Sequence, residues 1–392
     1  MNYKLLNTEV QNFIRDHLND DVSKILFAKS PFEGVSVKEL AEQIESKRSS
    51  EKKLPTWFKT EGIYYPPKLS IEQTSSEQTA AYKANFAKGE KLIDLTGGFG
   101  VDSFFFSKVV KSVMHCEVKD ELSTISKHNA SVLGADNIQF FTGDGISFLK
   151  DTDQKFDTIY IDPARRKIDK KVFMLSDCEP DVVNKLDLLL SKADRLIIKT
   201  SPLLDIQFGL NELKNVSQIH VVSVKNDCKE LLWILDSCFQ GDPEITSVSL
   251  DVPVPKSLSF QISEEKELQI TKYSDPQLYL YEPDVSLLKA GCFKLITKKF
   301  DLEKIAPNTH LYTSEELNEE FIGRIFKVTS CLNYKAFMKQ KPVSKANIIC
   351  RNFPLTPAEI KKKNKLTDGG SEYLIFFRNS GDELLVASAI RV

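Results

Sequence analysis

The chain of 392 residues is predicted to be an α/β protein with a Rossmann-like, doubly wound sheet, an N-terminal helical domain and small C-terminal α+β domains. Two observations predict the sheet. Short apolar strands alternate with helical stretches between residues 90 and 240, and glycines or acids stand at the end of each of the first four strands. Ligands of such sheets bind outside the carboxyl ends of the strands. The sequence therefore predicts a ligand site at these strand ends.

The first strand is predicted at Leu92 and Ile93 and ends at Asp94. The turn that follows is rich in small residues, namely Thr96, Gly97, Gly98 and Gly100. Glycines allow the backbone to come close to a ligand, as in nucleotide-binding turns. This turn is therefore predicted to bind the ligand through its main chain.

The next two strands also end in acids. Val113–Val118 carries Glu117, 23 residues beyond Asp94, where a carboxylate can accept both hydroxyls of a ribose. Ile138–Phe141 runs towards Asp144, which can accept from the amino group of an adenine. These positions predict a ligand that contains adenosine.

Two such ligands were compared, a dinucleotide and S-adenosylmethionine. A dinucleotide site places glycine or alanine where this chain has Ser103, and Asp94 would repel a pyrophosphate. The same carboxylate suits a ligand that carries an ammonium and a sulfonium. We therefore predict S-adenosylmethionine as the cofactor. A glycine-rich turn in another kind of α/β enzyme is the alternative.

The helical domain is assigned to residues 1–69 and the cofactor-binding core to residues 70–240. Apolar residues at helical spacing run from Asn7 to about Arg48, with Asp20 and Ser36 as candidate N-caps. Further elements of the core are predicted as helices at Glu77–Ala87 and Asp181–Leu190, a strand at Arg195–Lys199, and a closing antiparallel pair at Ile219–Val224 and Leu231–Leu235.

Two smaller regions follow the core. Residues 241–320 are predicted to hold a β extension and a small α/β domain, because apolar and polar residues alternate around Val248 and Phe260. Residues 321–392 are basic, with 13 Lys and Arg against 5 Asp and Glu, whereas the whole chain has a net charge of −2. Their elements are predicted as a strand at Ile348–Arg351, a helix at Thr356–Lys363 and a strand at Tyr373–Arg378.

Four motifs together resemble those of a known family. They are EQTSSEQTA (Glu72–Ala80), DLTGGFGVD (Asp94–Asp102), DPARR (Asp162–Arg166) and YEPDVSLLKAG (Tyr281–Gly291). They resemble a bacterial family of class I S-adenosylmethionine-dependent methyltransferases of the RNA-modifying type. The resemblance implies a seven-stranded methyltransferase sheet for the core, a ferredoxin-like fold within the third region and a THUMP-like fold for the last. It also implies an RNA partner, tRNA or rRNA.

After the fourth strand, Asp162 and Pro163 resemble the D-P-P-Y loop of enzymes that methylate exocyclic amines. In that loop the acid and a backbone carbonyl accept from the amino group. This chain departs from the pattern at Ala164 and Arg165. Because a guanidinium can stack on a base or hold a phosphate, Arg165 and Arg166 are predicted to position the nucleotide, with salt bridging as the alternative. A base nitrogen is the predicted acceptor, with guanine N2 first.

The D-P-x-R pattern also resembles the loop of uracil-5 methyltransferases, in which a cysteine thiolate adds to the ring before the methyl group arrives. That cysteine lies at the tip of the fifth strand, where this chain has Lys199–Pro202. The nearest cysteines, Cys178 and Cys228, are expected to be structural. Carbon methylation is therefore disfavoured, and a nitrogen is preferred over a 2′-oxygen.

The basic last region is predicted to bind RNA. Its candidates for phosphate contacts are Arg351, Lys361, Lys362, Lys363 and Lys365. Such contacts orient a nucleic acid without selecting its sequence. A solvated basic surface is the alternative. Two further interpretations of the chain stay open, a protein or small-molecule methyltransferase and a non-catalytic RNA-binding protein with a vestigial donor fold.

Seven cysteines without a C-x-x-C pair predict reduced thiols and a cytoplasmic protein, and they argue against a structural zinc site. The histidines have no metal-like spacing, so no metal is expected. We find no run of about 18 apolar residues and no signal peptide pattern, so a membrane span is not predicted either.

Overall fold

The computed structural model of the chain describes residues 1–165, 174–251, 254–340 and 343–392, with Arg165 described by its backbone alone. The chain divides into two compact units. The first comprises Met1–Ser217 and Leu232–Gly241, and the second comprises Gln218–Leu231 and Asp242–Val392. The strands around residues 216–236 therefore contribute to both.

The first unit begins with short helices, and the apolar spacing from Asn7 to about Arg48 predicted the first three of them. They are α1 (Thr8–Asp16), α2 (Val22–Leu26), α3 (Val37–Ser50), α4 (Pro55–Lys59), α5 (Lys68–Gln73) and α6 (Glu77–Ala84). Ser36 caps α3 through a capping box with Glu39, whereas Asp21 rather than Asp20 caps α2. Ile44 and Trp57 belong to the same hydrophobic cluster as Leu92 of the sheet. The N-terminal helices therefore share one core with the strands that follow.

The core alternates strands and helices. Its elements are β1 (Lys91–Asp94), α7 (Val101–Ser107), β2 (Ser112–Glu117), α8 (Asp120–Val132), β3 (Ile138–Thr142), α9 (Gly145–Asp151), β4 (Phe156–Ile161), β5 (Ala164–Arg165), β6 (Cys178–Glu179), α10 (Val182–Lys192), β7 (Ala193–Thr200) and α11 (Ile206–Glu212). The strands follow the order β7-β4-β1-β2-β3, and every neighbouring pair is parallel. Parallel strands place their carboxyl ends at one edge, so the predicted acids meet there.

The sheet continues through a hairpin of β8 (Val216–Val224) and β9 (Asp227–Asp236), and β9 neighbours β7. Its two turn residues, Lys225 and Asn226, have φ of 54° and 56°, the left-handed conformation that twisted two-residue hairpins require. In the second unit, β10 (Glu244–Ser249) pairs parallel with β8, and β11 (Lys256–Gln261) pairs antiparallel with β10. These two strands extend the sheet beyond the predicted seven.

The second unit also holds a separate sheet. Its elements are α12 (Ile262–Glu267), β12 (Tyr279–Pro283), α13 (Val285–Ala290), α14 (Leu295–Phe300), β13 (Glu303–Ala306), β14 (Thr309–Ser314), β15 (Gly323–Asn333), α15 (Tyr334–Gln340), β16 (Asn347–Arg351), α16 (Pro357–Asn364), β17 (Glu372–Arg378) and β18 (Leu384–Arg391). The strand order is β13-β14-β12-β15-β18-β17-β16. Because β12 pairs with both β14 and β15, one sheet runs through the two C-terminal regions.

Candidate active site

The glycine turn after β1 lies at the carboxyl edge of the sheet. Gly98 and Gly100 have φ of +56° and +83°, which favours glycine at both positions. A Cβ atom on Gly97 would lie 2.1 Å from Cε1 of His115, whereas one on Gly98 would meet only the carbonyl oxygen of Thr96 at 3.9 Å. Gly97 is therefore required for packing, and Gly98 exposes backbone towards open space.

Glu117, at the end of β2, is joined to this turn. Its two carboxylate oxygens accept from the backbone N–H groups of Gly98 at 3.0 Å and Lys119 at 2.8 Å. Ser126 of α8 donates to the Gly98 carbonyl at 2.8 Å. Each carboxylate oxygen has a second lone pair, so Glu117 retains the capacity to accept hydroxyl groups from a ligand. The arrangement fits a ribose next to the turn.

Asp94 is fully buried beneath the turn. It accepts from the Thr96 N–H at 3.1 Å and from the Ser103 hydroxyl at 2.6 Å, and Ser103 also lies 2.9 Å from Nδ1 of His115. Burial raises the pKa of Asp94 to about 7, although the Ser103 hydrogen bond opposes the shift. Burial lowers the pKa of His115 to about 3, so its imidazole is neutral. A cation bound near Asp94 would favour its ionised form.

Asp144 is exposed at the start of α9. It accepts from the backbone N–H groups of Ile146 and Ser147 at 3.3 and 3.0 Å and from the Ser147 hydroxyl at 2.7 Å. It therefore acts as the N-cap of this helix. The carboxylate stands at the same sheet edge as Glu117, because β3 pairs parallel with β2.

Asp162 follows β4 and is tied to the glycine turn. Its backbone N–H donates to the Thr96 hydroxyl at 2.7 Å, and its carboxylate forms an ion pair with Lys199 from the end of β7. Pro163 is buried, and Arg165 pairs through its backbone with Cys178. Arg166 lies outside the described residues. The structure thus brings Thr96 and Asp162 together, and the side chains of the two arginines are not described.

Two lysines of this region were missed by sequence analysis. Lys199 was read as part of a strand tip, although it is the ion-pair partner of Asp162. Lys83 of α6 is completely buried, with its Nζ 3.2 Å from Oδ1 of Asp102 and 3.0 Å from the Ser75 hydroxyl. Tyr160 and Ser75 donate to the other oxygen of Asp102 at 2.9 and 2.8 Å. A lysine among apolar residues of a helix was the available signal for Lys83.

The predicted RNA contacts occupy two places in the second unit. Lys362 is exposed on α16, Lys361 forms an ion pair with Asp368 at 2.6 Å, and Lys363 lies 5.6 Å from the Tyr334 ring. Lys365 ends this helix in a left-handed conformation. Arg351 differs from these lysines in its surroundings, because it shares the buried Glu282 with Arg324. The four lysines form a basic patch, and Arg351 has a structural partner.

Burial raises the pKa of Cys228 to about 12, which keeps this thiol protonated at neutral pH.

Within the described ranges, no set of three or more histidine, cysteine or acidic side chains is arranged to hold a metal ion. The helices of the described residues include none that is both apolar enough and long enough to cross a bilayer.

Three family models match parts of the chain. A ferredoxin-like domain matches residues 279–321, and a THUMP-like domain matches residues 323–389. A model of protein-L-isoaspartate(D-aspartate) O-methyltransferase matches residues 39–175. These matches confirm the prediction of a ferredoxin-like and a THUMP-like region at the C-terminal side and of a methyltransferase core.

The crystal structure of a Porphyromonas gingivalis W83 protein, provisionally designated a methyltransferase, is similar to this chain over almost its whole length. The identity is 30% and the TM-score 0.89, with 99% of this chain and 98% of that chain covered. An uncharacterized RNA methyltransferase of Mycoplasma mobile is 27% identical over 144 residues, and one of Halalkalibacterium halodurans is 30% identical over 124 residues. The chain spans 39% and 27% of the length of these two curated relatives.

Proposed function

Because the chain belongs to the bacterial family of class I S-adenosylmethionine-dependent methyltransferases with a ferredoxin-like insert and a C-terminal THUMP-like domain, we propose that it methylates a base nitrogen of structured RNA, with guanine N2 as the first candidate. One observation carries the proposal. The glycine turn, Glu117 and Asp162 converge at the carboxyl edge of the sheet, where Thr96 links the turn to Asp162. An acceptor group held by Asp162 would therefore lie beside the donor site.

Four residues would hold the cofactor. The exposed backbone at Gly98 would approach it, Glu117 would accept the ribose hydroxyls, and Asp144 would accept from the adenine amino group. Asp94 lies buried beneath the turn, where its carboxylate would favour a cationic ligand. When bound, S-adenosylmethionine supplies an electrophilic methyl group. The neutral His115 and the short Ser103 bridge keep the Asp94 carboxylate fixed in this position.

Asp162 would orient the acceptor. Its carboxylate would accept a hydrogen bond from the exocyclic NH2 group, which aligns the nitrogen lone pair for in-line attack on the methyl carbon. As the N–C bond forms and the S–C bond breaks, the nitrogen loses a proton, which the same carboxylate can receive. Lys199 would hold the Asp162 side chain in one orientation through their ion pair. Arg165 and Arg166 are proposed to position the nucleotide.

The basic patch of Lys361, Lys362, Lys363 and Lys365 would bind RNA phosphates. Support comes from the net positive charge of residues 321–392 and from the THUMP-like match. Phosphate contacts release counterions, so RNA affinity should fall steeply as salt rises. Arg351 is proposed to contribute less to RNA binding than these lysines, since its guanidinium is already paired with Glu282.

A second candidate is carboxyl methylation of a protein, which the match to the isoaspartate methyltransferase model favours. The acceptor of that reaction is itself a carboxylate. Asp162 would repel a carboxylate acceptor but would attract an amine, so the residues of this loop favour the RNA base. An isoaspartyl peptide offered as substrate tests this alternative directly.

Calorimetry and product analysis test the proposal. We expect binding of S-adenosylmethionine and of its demethylated product, and no binding of NAD. Mass spectrometry of RNA from a deletion strain should reveal one methylated base that is lost. Asp162→Ala should abolish transfer while donor affinity stays nearly constant, and exposed Asp153→Ala is the matched control. Full activity of Asp162→Ala, or binding of NAD alone, would contradict the proposal.

A further inference from the structure

A cavity of about 330 Å³ lies among the N-terminal helices. It is lined from α1, α3 and α4 by Gln11, Arg15, Lys47, Phe58, Lys59 and Thr60, among others. Small-molecule sites commonly measure roughly 300–1,000 Å³, so this N-terminal cavity has the capacity of about one nucleotide. All of its lining residues belong to the first unit.

Lys47 is the unusual member of this lining. Only 8% of the residue is exposed, and no carboxylate in the described part of the chain forms an ion pair with its ammonium group. Its Nζ instead lies 6.0 Å from the Phe58 ring. Burial lowers the pKa of Lys47 and the neighbouring Arg15 lowers it further, whereas the Glu61 carboxylate opposes the shift. Partial burial of a cation without an ion-pair partner is unfavourable, so a bound anion would stabilise the Lys47 ammonium.

The other charges around the N-terminal cavity leave it positive. Arg15 donates to the Asn12 side chain at 2.7 Å and lies 3.7 Å from Glu61. The Glu61 side chain is 92% exposed, so solvent screens its charge. Lys59 is exposed as well. Arg15 also lies 3.9 Å from Asp16, whose side chain is mostly exposed, so three cations face two carboxylates that are both open to solvent.

We propose that the N-terminal cavity binds the phosphoryl group of a nucleotide, with Lys47, Arg15 and Lys59 as its cations. A phosphoryl group carries close to two negative charges and matches the planar guanidinium of Arg15. The Phe58 ring offers a face for a base, since stacking on an aromatic side chain needs no particular base. The nucleotide can be a free monophosphate or the phosphorylated end of an RNA. This site goes beyond the proposed methyl transfer and does not depend on it.

Calorimetry on the full chain tests the site with inorganic phosphate, GMP, guanosine, and one oligoribonucleotide made with and without a 5′-phosphate. We expect phosphate and GMP to bind and guanosine to fail. A preference for the 5′-phosphorylated oligoribonucleotide identifies an RNA end as the source, and equal binding of the two oligoribonucleotides identifies the free nucleotide. Either result supports the site. Absence of binding by both phosphate and GMP would overturn it.

Lys47→Met removes the charge and keeps the length of the side chain. GMP affinity should fall on the order of tenfold or more, because a hydrogen bond to a charged group is lost. The melting temperature without ligand should rise, since a buried unpaired charge is gone. Lys38→Met, at an exposed position of the same helix, should change neither quantity. Lys59→Met, at an exposed position of the cavity lining, should weaken GMP binding without affecting the core.

The affinity for S-adenosylmethionine is measured in parallel. If Lys47→Met loses its affinity for GMP but keeps its affinity for S-adenosylmethionine, the two sites are independent. If the chain binds no methyl donor yet still binds GMP through Lys47, the proposed function fails and the nucleotide site stands. Unchanged GMP affinity in Lys47→Met would refute the site in either case.

Discussion

The buried pair of Lys83 and Asp102 allows a quantitative prediction of stability. Asp102→Asn removes the negative charge and leaves the Lys83 ammonium in a completely buried position, next to the Ser75 hydroxyl. Breaking a buried ion pair in this way costs about 3–5 kcal/mol. A unit of this size loses roughly 2–4 °C of melting temperature per kcal/mol. We therefore expect the Tm to fall by roughly 10 °C.

Thermal unfolding followed by circular dichroism measures this change. The double variant Lys83→Met/Asp102→Asn should recover much of the loss, because both charges are then absent. Glu90→Gln breaks the exposed pair with Lys111, where both side chains are more than half exposed, and should cost no more than about 1 kcal/mol. Equal losses for Asp102→Asn and Glu90→Gln would refute the reasoning.

The Lys83–Asp102 pair also determines how the stability of the protein changes with pH. Although burial acts to raise the pKa of Asp102, the charges of Lys83 and Lys199 hold it below its ordinary value of 3.8. The stability that this carboxylate contributes is complete above pH 3.8 and disappears as the pH falls through the lowered pKa. Asp102→Asn should therefore flatten the acid limb of the stability curve.

Three further predictions concern ligands. Because Asp94 has a raised pKa of about 7 and the donor is cationic, donor affinity measured by calorimetry should rise between pH 6 and pH 8, and Asp94→Asn should abolish this dependence. A pH-independent affinity in the wild-type chain would contradict that role. Glu117→Gln should weaken donor binding about tenfold while the fold persists, and unchanged affinity would exclude a ribose contact. The double variant Lys362→Glu/Lys363→Glu should lower the affinity for RNAs of different sequence to a similar extent. In a filter-binding assay it should also reduce the slope of RNA affinity against salt concentration, whereas an unchanged slope would indicate a solvated surface.

The strands of the core could be predicted closely because apolar runs end in glycine or acid. β1, β2, β3 and β7 all lie within two residues of their predicted bounds. The turn between β8 and β9 was predicted too long, at Lys225–Glu230. Lys225 and Asn226 alone make that turn, with neither the glycine nor the Asn-Gly pair that usually marks it. A lysine in the left-handed region is not visible in a pattern of apolar residues.

The sequence predicts which residues form the candidate site, but it does not predict their hydrogen-bond and ion-pair partners. Asp94, Glu117 and Asp144 could be selected because each lies at or just after the end of a strand. Their hydrogen bonds to Ser103, Gly98 and Ser147 depend on how the turns close in three dimensions. The same holds for Lys199, which comes from a strand distant in sequence from Asp162. Spacing along a chain shows which strand end a residue occupies, but not which charges surround it.

The sheet of the second unit has a consequence for protein engineering. The ferredoxin-like and THUMP-like matches meet between residues 321 and 323, yet β12 and β15 are hydrogen-bonded across that border. Separating the two regions there would expose the paired edges of β12 and β15, and exposed edges promote aggregation. A chimera that exchanges the basic region with a relative should therefore carry residues 279–391 as one cassette, so that β18 stays whole.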